Sequence, residues 1–267
     1  MANQAAAVSS TPAHENLPSS ALVFLGETWT LIAGAVGYIA KGRVSALNVI
    51  GQMAAIGVGA LPIVLAICFS TGAVFAYYTA AIMVQFGAKD FVGGTLTYGF
   101  LNELGPVLTG VAVAARSGAA IAAEIGSMVV TEQVDALRSM AVSPVRYLVA
   151  PRLIACILML PIACVFGDMA GVAGGYFMAG SNGVPHQSFL ESARRFANDV
   201  DLIHGLIKTL WFGLLIAAVA CRQGLRTRGG ATGVGRSTTS SVVLCVVLIF
   251  ISDFFLAQML TGGRVGR

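Results

Sequence analysis

Val44 to Ala88 reads VSALNVIGQMAAIGVGALPIVLAICFSTGAVFAYYTAAIMVQFGA and contains no Asp, Glu, Lys or Arg. A helix needs roughly 20 apolar residues to cross the hydrocarbon core of a bilayer. The run therefore holds one long spanning helix, about Met53 to Phe86, together with its approach, and the turn Gly87-Ala88-Lys89-Asp90 ends it. The same pattern recurs downstream. Phe91 to Ala115 is interrupted only by Glu103, Leu153 to Gly180 only by Asp168, Leu202 to Ala220 only by Lys208, and Val242 to Leu260 only by Asp253. Five spans result, with a loop expected over 181–201, and the fold class expected is an all-α integral membrane protein.

Composition agrees. Of 267 residues, 57% are apolar and 10% charged, and the mean hydropathy is +0.83. A soluble domain carries about 25% charged residues, so this chain cannot cover a globular surface with polar groups. The 32 glycines fit close approach of membrane helices. A net charge of +4 gives no reason to expect nucleic acid. Five cysteines with no C-x-x-C pair, most of them inside apolar runs, argue against zinc or a disulfide framework. His14, His186 and His204 have no metal-ligand spacing, and no metal site is expected.

The expected organisation is a disordered tail over 1–20, rich in Ala, Ser, Pro and Thr, then a membrane domain over 21–267. No Lys or Arg precedes Lys41, so the tail lacks the positive n-region of a signal peptide. Within this membrane domain, residues 21–43 read as an interfacial helix and 44–260 as the five-span bundle. Ala21 to Ala40 is long enough to span. Glu27, Thr28 and Thr30 interrupt it, however, and Trp29 and Tyr38 favour an interface, so a helix lying on the membrane is preferred to a sixth span.

Orientation follows from the cations. Placing Lys41, Arg43, the 116–152 segment and the 221–236 segment on one side gathers ten of the sixteen Lys and Arg there. The positive-inside rule makes that side cytoplasmic, with the N-terminus inside and the C-terminus outside.

The cytoplasmic connection carries a short amphipathic helix near 131–140. Thr131 is placed to cap it, Glu132 and Asp135 suit its N-terminal end, and Pro144 is placed to stop it. Val134, Leu137 and Met140 share one face, while Glu132, Asp135 and Arg138 point elsewhere. Such a helix rests on headgroups or docks in a groove on a partner, and the pattern alone does not choose. Inside the spans, Glu103, Lys208 and Asp253 are costly in hydrocarbon and are therefore candidate site residues. At 1.5 Å per residue they lie about 18, 9 and 16 Å along their spans, close enough to meet in the middle or outer half. An ion-pair network and a lipid-contacting site both fit. Asp168 sits in a stripe, Gly167, Gly171, Gly175 and Ala179, spaced as a helix-packing face.

Several blocks resemble one family. Asn102-Glu103-Leu104-Gly105-Pro106-Val107, Ala115-Arg116-Ser117-Gly118, Ala122-Ala123-Glu124-Ile125-Gly126, Thr131-Glu132-Gln133 and Asp135-Ala136-Leu137 are similar to the MlaE/YrbE permeases. These are membrane subunits of ABC transporters that work with MCE-domain proteins. The likeness runs in order over about 50–260, through Ser143-Pro144, Pro151-Arg152, Gly233-Val234-Gly235 and Asp253-Phe254. It implies an interfacial helix, five spans, a homodimer in the inner membrane, a separate cytoplasmic ATPase, an MCE-domain partner and a membrane lipid, phospholipid or related, as substrate.

In such a permease the 131–140 helix is the coupling helix, which would place Glu132, Gln133, Asp135, Leu137 and Arg138 at the ATPase. The resemblance also places Glu103, Lys208 and Asp253 near a lipid cavity. Many relatives carry Arg immediately before that Glu, whereas this chain has Asn102, which leaves two acids against one Lys. Lys occurs only at 41, 89 and 208, none of them in G-x-x-x-x-G-K-[ST]. The chain therefore lacks the phosphate-cradling loop, and no cofactor is expected in it; ATP and Mg²⁺ belong to the partner. A self-sufficient transporter would show inverted repeats, and a lipid enzyme a nucleophile with its base. Neither is visible.

Overall fold

A computed structural model describes residues 17–261, and among them every regular element is helical. We number the helices α1 (Leu17–Ala40), α2 (Ala46–Gln85), α3 (Lys89–Val130), α4 (Gln133–Ser139), α5 (Val145–Asn182), α6 (His186–Phe196), α7 (Asp199–Leu225) and α8 (Gly230–Thr261). Six of them, α1, α2, α3, α5, α7 and α8, are long and apolar enough to cross a membrane. The expected tail over 1–20 lies largely outside the described residues, but Leu17 to Ser20 already form the first turn of α1.

Contacts along α1 decide how it lies. Phe24 packs under the Arg222 guanidinium, 4.3 Å from the ring centroid, and Glu27 pairs with Arg222 and Arg226 at the C-terminal end of α7. Further on, Gly34 lies against Val145 at the start of α5, and just past the helix the Arg43 carbonyl accepts a hydrogen bond from Arg146. These contacts cover most of α1, yet all fall at one end of α5 and α7. The helix therefore runs across that end of the bundle, although its length and apolarity alone would allow a span.

The spans are longer than their apolar runs. Arg116 was expected to begin a polar segment, but α3 continues unbroken to Val130. The continuation Ala119-Ala120-Ile121-Ala122-Ala123 is rich in strong helix formers. Exposed Arg116 has a local reason to sit within the continuing helix. It donates to the Ala55 carbonyl at 3.3 Å while Ser117 donates to that of Ile56 at 3.1 Å. Both acceptors lie in a π-helical turn of α2, Ala54–Val58, and both donors in a π turn of α3, Ala114–Gly118. Such turns leave i→i−4 carbonyls free, and these two side chains fill the gap. The other spans also start earlier or end later than expected. In place of a loop over 181–201, α6 packs across the start of α3, with Phe189 buried and Ser192 Oγ accepting from Gly94 N–H at 2.9 Å.

The core is a small-residue seam between α2 and α5. Ala60, Val64, Cys68, Gly72, Ala76 and Ala80 are buried at intervals of four. They face the Gly167, Gly171, Gly175 and Ala179 stripe, so both helices present i, i+4 ridges. A Cβ at Gly72 would fall 1.9 Å from the Gly171 carbonyl oxygen, and one at Gly174 would fall 2.1 Å from that of Phe69. The backbones approach too closely there for any side chain. Gly171 and Gly175 also receive Phe100 and Leu96 of α3. This stripe packs helices of the same chain.

Candidate functional site

Lys208 lies nine residues into α7, about 14 Å from its start at 1.5 Å per residue. It is 2% exposed. An ammonium held there needs acceptors, and three converge on it. Glu103 Oε2 is at 2.6 Å, Asp253 Oδ1 at 3.0 Å, and the Asn102 carbonyl oxygen accepts a hydrogen bond from Nζ at 3.0 Å. Three helices thus supply the cluster. α7 carries the cation, α3 two acceptors and α8 the third. Local backbone explains the contribution of α3, because Asn102 and Glu103 lie in a π-helical turn, Phe100–Leu104. The Asn102 side chain is not part of the cluster. It turns back along its own helix and donates to the Tyr98 carbonyl at 3.1 Å.

Exposure is uneven. The Glu103 side chain is 45% exposed and that of Asp253 15%, while Lys208 is enclosed. One carboxylate therefore opens on the outer face of the chain, in the middle of an apolar span. Hydrocarbon against it would be costly. A wet cavity or a second subunit satisfies it. The flank of α8 on this side is strongly apolar, with Phe250, Ile251, Phe254 and Phe255 all more than half exposed.

A second polar region lies where α3, α4 and α5 meet. Thr131 does not cap α4 as expected; its hydroxyl donates to the Ser127 carbonyl at 2.9 Å and closes α3. Glu132 takes the N-cap position in the left-handed region, at φ 59°, and Ala141 lies just past the other end at φ 57°. These are the non-glycine residues of positive φ among the described residues. Each such conformation costs of order 1–3 kcal/mol and points to a segment whose placement matters. The helix ends at Ser139, five residues before Pro144, which begins the next helical stretch instead.

On α4, Val134 is buried while Glu132, Gln133, Asp135 and Arg138 are exposed, and Leu137 is half-buried. Met140, assigned to the apolar face from its spacing, is 65% exposed. Asp135 and Arg138 pair at 2.9 Å in the open. The exposed face of α4 is thus a small charged platform standing clear of the bundle.

Three interactions escaped the sequence reading. Arg152, counted only as a loop cation, is buried in α5 and pairs with Glu124 at 2.8 Å. The Glu27 to Arg222 and Arg226 pairs join residues some two hundred positions apart. Asp168 is buried and accepts from Cys164 at 3.6 Å, with Oδ1 lacking a hydrogen-bond partner among the described residues. It borders an apolar cavity of about 520 Å³ between α3, α5 and α7. Only repeated pairing of acids with bases in an alignment of relatives would have signalled the first two.

The family model for Permease MlaE matches residues 49–259, most of the chain and all of the spanning core. The chain belongs to the MlaE permease family. A probable ABC transporter permease protein of Synechocystis is 42% identical over 227 residues, covering 85% of this chain and 86% of the relative. One from Rickettsia prowazekii is 40% identical over 213 residues, 79% of this chain and 82% of its own. The chloroplastic protein TRIGALACTOSYLDIACYLGLYCEROL 1 of Arabidopsis thaliana is 35% identical over 246 residues, 91% of this chain and 70% of that protein. This MlaE-family chain is accordingly a multi-pass membrane permease subunit of the ABC transporter type.

Proposed function

We propose that this permease moves phospholipid or a related lipid between membranes, as a homodimer in the inner membrane. ATP hydrolysis occurs in a separate ATPase subunit, and an MCE-domain protein receives or delivers the lipid. The observation that carries this reading is the Lys208 cluster. A buried ammonium with a half-exposed carboxylate on an otherwise apolar face makes a polar spot inside the membrane, suited to a lipid-sized cavity closed by a second copy. In this reading the chain itself is non-catalytic, and ATP and Mg²⁺ are bound by the partner. The charged platform of α4 supports docking on that ATPase, with Glu132, Gln133, Asp135, Leu137 and Arg138 at the contact. A relative named for trigalactosyldiacylglycerol, a glycerolipid, is consistent with a lipid substrate.

The α4 end of the bundle is cytoplasmic in this account, since Arg43, Arg138, Arg146, Arg222, Arg226 and Arg228 gather there. The N-terminus then lies inside. In a background without the native cysteines, an impermeant thiol reagent applied from outside should label a Cys at Ser188 on α6 and spare one at Thr232. The reverse pattern would overturn the orientation. Mass measurement of the complex purified with its ATPase should find two copies of this chain. An active assembly holding one copy would remove the dimer from the proposal.

A further inference from the structure

At the α4 end of the bundle, far from Lys208, two cavities of about 640 and 410 Å³ lie side by side and share Asn48, Tyr147 and Pro151 as walls. The larger is bordered by Arg152 and Glu124, the smaller by Arg43 and Arg146. Three guanidinium groups therefore face one carboxylate across a continuous crevice. Arg152 is the built part of it. Its side chain is 4% exposed, Nη1 donates to the Leu148 carbonyl at 2.8 Å, and Nη2 meets Glu124 at 2.8 Å. Its Nε is buried with no acceptor among the described residues. An orphaned donor on a buried cation is expensive, and with Nη2 held by Glu124 the Nε remains for one oxygen of an anion.

We infer that this crevice binds the phosphate-bearing headgroup of an anionic phospholipid from the adjoining leaflet. The charge count favours an anion, and basic pockets between spanning helices on the cytoplasmic side take lipid headgroups of this kind. Two further features favour a lipid over a soluble anion. Leu47 and Ile50, on the first turns of α2 beside the crevice, are 79% and 61% exposed and offer an apolar surface to an acyl chain. Tyr147, half-exposed at the shared wall, is a residue suited to the headgroup level.

The crevice also reaches α4. Gln133 borders the larger cavity and Leu137 the smaller. A bound headgroup would therefore brace the helix read above as the ATPase contact, making the anionic lipid a regulator of coupling. This regulatory role rests on that reading; the binding does not.

The test is native mass spectrometry of the full complex from nanodiscs of phosphatidylcholine containing a minor share of phosphatidylglycerol. The wild type should retain phosphatidylglycerol about 25-fold in excess of its share, given roughly fivefold for each of the two net positive charges that three Arg leave against Glu124. Arg43→Ser with Arg146→Ser, at two exposed positions, should cut that excess to about twofold or less, with only a small fall in the melting temperature in pure phosphatidylcholine from the lost bond to the Arg43 carbonyl. The pair Glu124→Met with Arg152→Met, which leaves no lone buried charge, should reduce it as well.

Equal retention of both lipids by the wild type, or an excess that survives both double variants, would overturn the site. Complete displacement of the lipid by millimolar inorganic phosphate would overturn the lipid assignment, as would loss of retention whenever the ATPase is bound. None of these readouts requires transport, so a complex that retains the lipid yet moves none would count against the proposed function alone.

Discussion

Lys208→Met should be the most damaging single change in this permease. It removes one cation from between two carboxylates and leaves Asp253 enclosed and Glu103 at the edge of the same site. Breaking a buried ion pair by deleting one partner costs about 3–5 kcal/mol. The half-exposure of Glu103 puts the expectation near the lower figure, about 3 kcal/mol. Thermal unfolding in detergent should therefore occur well below the wild-type temperature, and lipid transport should be lost. The triple variant Glu103→Leu, Lys208→Met, Asp253→Leu separates two roles. Replacing a buried ion network with apolar residues of similar volume is often neutral or stabilising, so this variant should recover the melting temperature. If the cluster serves the lipid, transport stays lost. A stable triple variant with full transport would reduce the cluster to a structural clasp.

Reversal of the α4 charges should have the opposite profile. Glu132→Lys with Asp135→Lys leaves the spans untouched and breaks only an exposed pair, Asp135 with Arg138. Exposed pairs contribute about 0–1 kcal/mol, so insertion and melting temperature should stay close to wild type. The left-handed position of Glu132 accepts Lys no worse than Glu, since neither is glycine. ATPase association, or the hydrolysis that depends on it, should fall by an order of magnitude or more, since two charges change sign against one partner surface. Unchanged association and transport would take α4 out of the coupling role.

Much of this architecture could be read from the chain because apolar runs and intramembrane charges are local signals. Glu103, Lys208 and Asp253 stood out as the charges that interrupt three separate runs, and they do meet. The π turn that brings the Asn102 carbonyl to Lys208 was not legible, since such a turn depends on side chains packed from other helices. The boundaries failed for a related reason. Arg116 looks like the edge of a span until the free carbonyls of Ala55 and Ile56 are seen opposite it and Ser117. Thr131 and Pro144 both occupied plausible stop and start positions, yet each serves the neighbouring helix. α6 was missed because its apolar face is narrow, with Phe189 and Ala193 buried among polar neighbours. The path of α1 across the bundle end needed long-range pairs, Glu27 to Arg222 above all, that no local pattern encodes.

On the function proposed above, this permease moves lipid only when a separate ATPase drives it. The direct measurement reconstitutes the chain with its ATPase in proteoliposomes and follows transfer of a fluorescent phospholipid to an MCE-domain acceptor. Transfer should require both subunits and hydrolysable ATP, and should stop with a non-hydrolysable analogue. Transfer at the same rate by this chain alone, without nucleotide, would contradict it.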